Sequence, residues 1–445
     1  MSQFTLSRRE TLIMASGLLG AAGLTLSGCS SPTNAPTTTN SPTGTLTMTW
    51  WGPADRHRAY LAALALFADA GGRQVSATYG GFEGYFEKLQ TQIAGGGAPD
   101  VMQIRGGTPP VEFIERGILL DLTQYLGKTI NTADLEMSVL DSVTYKGGLY
   151  SIPQGVGSTA VYTNQSMLGS LGISLPAGNQ WTWDDFASIT NEIARATPDG
   201  VYGATDVWAP GEGGPAAFEV FARQRNEGLY TEEGKLGFTK DTLAEWLDFW
   251  QKLRRNGAVT PPDLTAGANS SDGTSPLITG AAPIYFSFTG ILVGLQQLTE
   301  DELAPILLPN GDSGAAPGQY LEADGPLAVY ANTHDPEGAT KLLDFLVNDP
   351  ALDELIGTVN GVPISKRRRD VLRQAAGGAE AKDMAYLDEV SAHSTALTVV
   401  PPLGAQEFES VTLQRAHEDV AFERTEISAA VDAVFSEAER LLKLA

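Results

Sequence analysis

The chain has 445 residues, with 53 acidic against 29 basic side chains, a formal charge of −24, and one cysteine, Cys29. That charge repels nucleic acid and anionic lipid headgroups and so excludes binding through a basic surface, while a lone cysteine excludes intramolecular disulfides and thiolate-rich metal sites. About 400 residues lie beyond the N-terminal segment, enough for two domains with substantial cores.

Arg8 and Arg9 precede an uncharged run from Thr11 to Leu26, which closes in Leu26-Ser27-Gly28-Cys29. The run contains Gly17, Gly20 and Gly23 and is short for a permanent bilayer span, so it reads as an export signal. Leu-Ser-Gly-Cys resembles the bacterial lipobox, in which the cysteine is acylated and becomes the new N-terminus. Cys29 is therefore expected to anchor the mature chain to the outer face of the cytoplasmic membrane. Ser7-Arg8-Arg9-Glu10-Thr11-Leu12 resembles a twin-arginine signal with Thr11 in place of the usual Phe, which leaves the Sec and twin-arginine routes both open. Residues 30–45, rich in Pro, Thr, Ser and Asn, cannot build a core and read as a disordered tether. The folded part then begins near Leu46.

From there the pattern alternates: strand Leu46 to Trp51, helix Arg56 to Ala70, strand Gln74 to Tyr79. Next come a helical face of Phe82, Tyr85, Phe86, Leu89 and Ile93 and a short strand Asp100 to Ile104. This is the rhythm of a mostly parallel sheet covered by helices. The glycines of Tyr145-Lys146-Gly147-Gly148 suggest a tight turn between Ser142–Tyr145 and Leu149–Pro153. Thr182-Trp183-Asp184-Asp185 has the form of a capping box opening a helix with Phe186, Ile189 and Ile193 on its core face. Thr239 to Asn256 is a further helix, stopped by Gly257. Pro336 to Val347 and a terminal helix with Ile427, Val431, Val434, Phe435, Ala438, Leu441 and Leu442 complete the series.

Several stretches, in their order and spacing, resemble the extracellular solute-binding protein family 1, the sugar-binding components of ABC importers that include maltose-binding proteins. They are Trp50-Trp51-Gly52, Tyr79-Gly80-Gly81-Phe82 with Tyr85-Phe86-Glu87-Lys88-Leu89, and Gly97-Ala98-Pro99-Asp100-Val101. Further on come Tyr150-Ser151-Ile152-Pro153, Val161-Tyr162-Thr163-Asn164, Trp181-Thr182-Trp183-Asp184-Asp185-Phe186, Leu346-Val347-Asn348-Asp349-Pro350 and Gly361-Val362-Pro363. The resemblance implies an α/β, two-lobed, periplasmic-binding-protein-like fold, each lobe a mostly parallel sheet flanked by helices, with the ligand cleft between them. It places residues 46–152 plus 326–362 in one lobe and 153–325 plus 363–445 in the other, with crossings near Pro153, Gly325 and Pro363. It also implies a sugar or oligosaccharide ligand, membrane permease subunits as partners, a monomer, and no cofactor.

A sugar presents hydroxyls at its edge and C–H patches on its faces, so its site needs flat aromatic rings beside planar polar groups, carried on loops at strand ends. In the first lobe the candidates are Trp51, Asp55, Arg56, Phe82, Tyr85 and Arg105, the last standing where relatives often carry Asp or Glu. In the second they are Gln154, Ser158, Trp208, Glu219, Phe288, Thr289, Gln319, Tyr320, Glu322 and Asp324. Trp181, Trp183, Trp246 and Trp250 read as packing instead.

Gly311-Asp312-Ser313-Gly314 matches a short serine-protease string, but in an α/β chain it lacks the fold that gives the string meaning. His57, His334, His393 and His417 are scattered without metal-pair spacing, and no phosphate-binding Gly-Lys-Ser/Thr loop occurs. The expected activity is binding without catalysis. The alternatives are a secreted carbohydrate-active enzyme, since acids and aromatics also line glycosidase clefts, and a ligand sensor coupled to a receptor.

Overall fold

The structure, a computed structural model, describes residues 44–442 apart from 53, 82–83, 107–109, 177, 209–212, 268–272, 312–314, 376 and 396–398. Cys29, the export signal, most of the tether and Phe82 therefore lie outside the described residues, as does the side chain of Asp55.

The chain opens with β1 (Leu46–Trp51), β2 (Val75–Gly80) and β3 (Val101–Gln103), followed by a hairpin of β4 (Thr144–Tyr145) and β5 (Gly148–Leu149). Then come β6 (Gly155–Gly157), β7 (Thr159–Asn164), β8 (Ile284–Phe288), β9 (Leu303–Ile306), β10 (Glu322–Asp324), β11 (Leu327–Val329) and β12 (Val362–Pro363). In the first lobe β1 runs parallel to both β2 and β3, and β11 closes the sheet antiparallel to β3. The helices Ala54–Asp69 and Pro336–Asn348 pack their apolar faces on it, burying Tyr60, Ala63, Leu342 and Leu346 with Met48 and Trp50.

The second lobe's sheet has the order β8, β7, β9 and is antiparallel on both sides of β7. This differs from the mostly parallel sheet expected for each lobe. Both neighbours, β8 and β9, run opposite to β7, so the sheet pairs antiparallel on each side of it. Thr182 caps the helix Trp183–Ala196, its hydroxyl accepting from Asp185 N at 3.1 Å while the Asp185 carboxylate accepts from Thr182 N at 2.9 Å. Thr239 caps the helix Lys240–Arg255, whose last turn holds Lys252, Arg254 and Arg255 against the negative end of the helix dipole. Trp181, Trp183, Trp246 and Trp250 are all buried in the core these helices share. Trp183 lies edge-on to Trp246 at 5.3 Å, a favoured aromatic arrangement.

A third sheet joins segments distant in the chain. β6 lies between β10 and β12, antiparallel to both, so the chain passages at residues 155–157, 322–324 and 362–363 are neighbours in one small sheet. Ile152 and Val156 belong to the first lobe's core, whereas Ala160 and Val161 belong to cores of the second. Gly155 is required there, because a Cβ on it would stand 2.1 Å from the Asn360 carbonyl oxygen. Gln154 fastens the passages together: its Nε2 donates to Gly325 O at 2.6 Å, and its Oε1 accepts from Tyr60 Oη at 2.6 Å and Asn360 Nδ2 at 3.2 Å. Among the described residues no helix is long and apolar enough to cross a membrane.

Candidate ligand-binding cleft

The first-lobe side of the cleft is built at the end of β1. Trp51 is half-buried there, its ring 4.9 Å from Tyr85 and 5.3 Å from Phe86. Its backbone N–H donates to Gln103 Oε1 at 3.3 Å. Arg56, at the start of the following helix, donates from Nε and Nη2 to Val359 O at 2.9 and 2.6 Å and from Nη1 to Trp51 O at 3.1 Å. It thereby ties Trp51 to the segment entering β12. Arg105 follows β3, and its guanidinium sits 5.1 Å from the centre of the Phe86 ring. Tyr85 is buried and spends its hydroxyl on Gln103 O at 2.8 Å, so it supports Trp51 from behind.

On the other side stand Tyr320 and the β10 residues Glu322 and Asp324. The Tyr320 ring is buried in the second core with Arg223 5.3 Å from its centre. Burial pushes the Tyr320 hydroxyl well above its ordinary range, and the charges of Glu322, Glu219 and Glu409 act in the same direction. Glu322 is half-buried, and burial followed by the charges of Asp324 and Glu409 pushes its carboxyl up to about 8. Burial also raises the Asp324 carboxyl, opposed by Arg56. Facing them is Glu409, which accepts from Tyr230 Oη at 2.7 Å and is pushed up to about 7, chiefly by burial. Three carboxyl groups with raised proton affinity, those of Glu322, Asp324 and Glu409, thus lie within electrostatic reach of one another, with the buried Tyr320 beside Glu322 and Glu409.

The remaining sequence candidates are held inside the protein. Ser158 Oγ donates to Tyr320 O at 2.8 Å, and Ser158 N donates to Thr289 Oγ1 at 3.1 Å. Gln319 donates to Thr159 O at 2.9 Å and Tyr386 Oη at 2.8 Å and accepts from Leu308 N at 2.9 Å. Glu219 accepts from Leu229 N and lies 3.7 Å from Arg223. Trp208 is buried against His417, their ring centres 5.1 Å apart. Gln154 belongs to the crossing network described above. Phe288 is half-buried with its ring over Gly213, where a Cβ would stand 2.8 Å from it.

Glu409, Tyr230, Phe86 and Arg223, which no sequence pattern singles out as candidates, lie beside these residues in the structure. Glu409 lies in a π-helical turn, Phe408–Leu413, of the kind that often marks functional sites, but a π-turn has no residue pattern that separates this acid from the other acidic side chains. Among the described residues no cluster of His, Cys, Asp and Glu is arranged to hold a metal ion.

A profile of bacterial extracellular solute-binding proteins matches residues 52–352. The chain belongs to this family. Among solved structures, this solute-binding protein is 28% identical to an extracellular solute-binding protein family 1 member from Alicyclobacillus acidocaldarius, covering 89% of this chain and 98% of that one at a TM-score of 0.69. A periplasmic oligogalacturonide-binding protein from Yersinia enterocolitica, in complex with saturated digalacturonic acid, matches at 21% identity over 89% and 98% of the two chains with a TM-score of 0.74. An ABC transporter solute-binding protein from Thermotoga lettingae bound with α-D-tagatose matches at 19% over 90% and 100%, TM-score 0.73. The last two show a shared fold. Family membership makes this an exported, extracytoplasmic binding protein of the two-lobed α/β kind.

Proposed function

We propose that this chain is the substrate-binding lipoprotein of an ABC importer, a monomer anchored through Cys29 that takes a sugar or oligosaccharide between its lobes and delivers it to a membrane permease. Residues 46–152 plus 326–362 form one lobe in this reading, and 153–325 plus 363–445 the other. The observation that carries it is the sheet of β6, β10 and β12: three chain passages lie side by side, Glu322 and Asp324 are carried on one of them, and Arg56 ties Trp51 to the segment entering another. Such a sheet is a narrow connection about which two bodies can close on a ligand, a motion established for periplasmic binding proteins. Saccharide binding is further supported by the ligands that the Yersinia and Thermotoga proteins hold. The reading invokes no cofactor, and the carboxyl groups act as hydrogen-bond partners instead of catalysts.

One preparation tests both halves of the proposal. Protein purified from membranes is expected to carry acyl chains on Cys29, which add about 0.8 kcal/mol of membrane affinity per buried methylene. Titrated with a panel of mono-, di- and oligosaccharides, it is expected to bind one equivalent and return the sugar unchanged. An unacylated Cys29 on the mature protein would refute the anchor. Release of shortened products would refute the binding module in favour of a carbohydrate-active enzyme.

A further inference from the structure

We propose that Tyr79, backed by His57 and Trp50, forms a second saccharide subsite at the rim of the first lobe, so that the ligand is a sugar chain longer than a disaccharide. This rests on the saccharide-binding reading above and extends it along the edge of the first lobe's sheet.

Trp50 and Tyr79 are register partners on the parallel strands β1 and β2, so their rings lie on one face of the sheet, 5.1 Å apart and stacked at 25°. Trp50 is fully buried and donates from Nε1 to His57 Nδ1 at 3.1 Å. His57, in the first turn of the helix Ala54–Asp69, brings its ring 4.5 Å from that of Tyr79 at 37°. Rings set on opposite faces of Tyr79 would stand apart by nearly the sum of these two distances. Trp50 and His57 are only 6.3 Å apart, so both support Tyr79 from the same side. Its other side meets solvent, and the residue is 45% exposed. Tyr79 and Phe422 are the exposed aromatic rings among the described residues, and Phe422 has the Arg424 guanidinium 4.4 Å from its centre. A single exposed ring needs no explanation in itself. This one is held in place by a buried indole and an imidazole, so a sugar whose C–H face stacked on it would lose little entropy in ordering it.

Its place in the fold connects the ring to the cleft. Tyr79 stands near the carboxyl end of the edge strand β2, and ligands of parallel α/β sheets gather outside the carboxyl ends of the strands. Trp51 ends the adjacent strand β1 and turns to the other face, towards Tyr85 and Phe86. Between the two rings the rim is bare backbone. Gly52 N donates to Gly80 O at 3.0 Å, and a Cβ on Gly80 or Gly81 would meet nothing within 4 Å. A saccharide stacked on Trp51 can therefore continue over these glycines to Tyr79. Rings on opposite faces of a sheet stand on the order of 10 Å apart, more than the single glycosidic link of a disaccharide spans.

Calorimetry over chain length tests the subsite, with glucose, xylose and the malto-, cello- and xylo-oligosaccharides up to the hexasaccharide as probes. In a series that binds, the wild type is expected to hold the longest member at least about tenfold more tightly than the disaccharide. Tyr79→Ala, its folding verified by thermal unfolding, is expected to remove most of that advantage, and Tyr79→Phe, which keeps the ring, to retain it. An unchanged length advantage in folded Tyr79→Ala would overturn this inference, and so would tightest binding of a mono- or disaccharide by the wild type; both results leave the saccharide reading intact. An equal loss at every chain length would put Tyr79 in the same subsite as Trp51 and overturn the second one. Failure of every saccharide to bind would overturn the underlying reading and this inference with it.

Discussion

Arg254→Ala is expected to destabilise the protein by about 3–5 kcal/mol, the cost of leaving a buried charge without its partner. Arg254, Asp206 and His417 form a cluster with almost no exposure: 4%, 1% and 2% of their side-chain surface. Arg254 Nη1 pairs with Asp206 Oδ2, and His417 Nε2 lies 2.9 Å from Asp206 Oδ1. Burial alone would raise the Asp206 carboxyl, but Arg254 and His417 outweigh it and hold the group well below the usual carboxylate range. Burial depresses His417 to about 4, so at neutral pH Arg254 supplies the only positive charge of the three. The cluster ties the helix Lys240–Arg255 to the helix Gln414–Ala421, the one before the last, and so fastens this late part of the chain to the core they share. Urea unfolding at pH 7 measures the loss. The sign of its pH dependence follows from the same groups: without Arg254 the folded-state affinity of Asp206 for a proton rises above that of the unfolded chain, so the deficit shrinks as the pH falls towards 4.5. A loss below about 1 kcal/mol at pH 7 would show that the ion pair contributes no more than a surface pair.

Trp51→Ala is expected to weaken saccharide binding by about 1–3 kcal/mol, a factor of roughly 5 to 150, with thermal stability changed much less. Trp51 is half-buried, so it has ring surface to offer, yet Tyr85, Phe86 and the Gln103 amide already fix its orientation. The ring is therefore ordered before the ligand arrives and loses little entropy on binding. Tyr320 is the useful contrast, because its ring is part of the second core. Tyr320→Phe keeps that packing and removes only the hydroxyl, so it is expected to cost less than Trp51→Ala. Equal affinities of Trp51→Ala and wild type, measured by calorimetry on folded protein, would exclude Trp51 from the site.

Local chemistry made much of this fold legible in advance. Thr182 and Asp185, Thr239 with Gly257, and Asp335-Pro336 each mark a helix end through hydrogen bonds that a short stretch of sequence determines. That β6, β10 and β12 share one sheet was not legible, because its strands come from segments far apart in the chain. The direction of β7 was not legible, since a buried strand reads the same whether its neighbours run with it or against it. Polar site residues were the hardest to read. Gln154, Ser158 and Gln319 have the side chains a sugar site needs, but the same donors and acceptors complete buried networks, and only the fold tells one use from the other. Glu409 shows the converse, an acid far along the chain that the fold brings beside Glu322 and bonds to Tyr230.

The central claim is that the two lobes close on a saccharide about the sheet of β6, β10 and β12. Small-angle scattering on protein that calorimetry shows to be saturated with its sugar tests it most directly. A ligand that bridges both lobes favours the closed form by its difference in affinity for the two forms. The account predicts a smaller radius of gyration with the sugar than without it; identical scattering curves for the empty and saturated protein would contradict it.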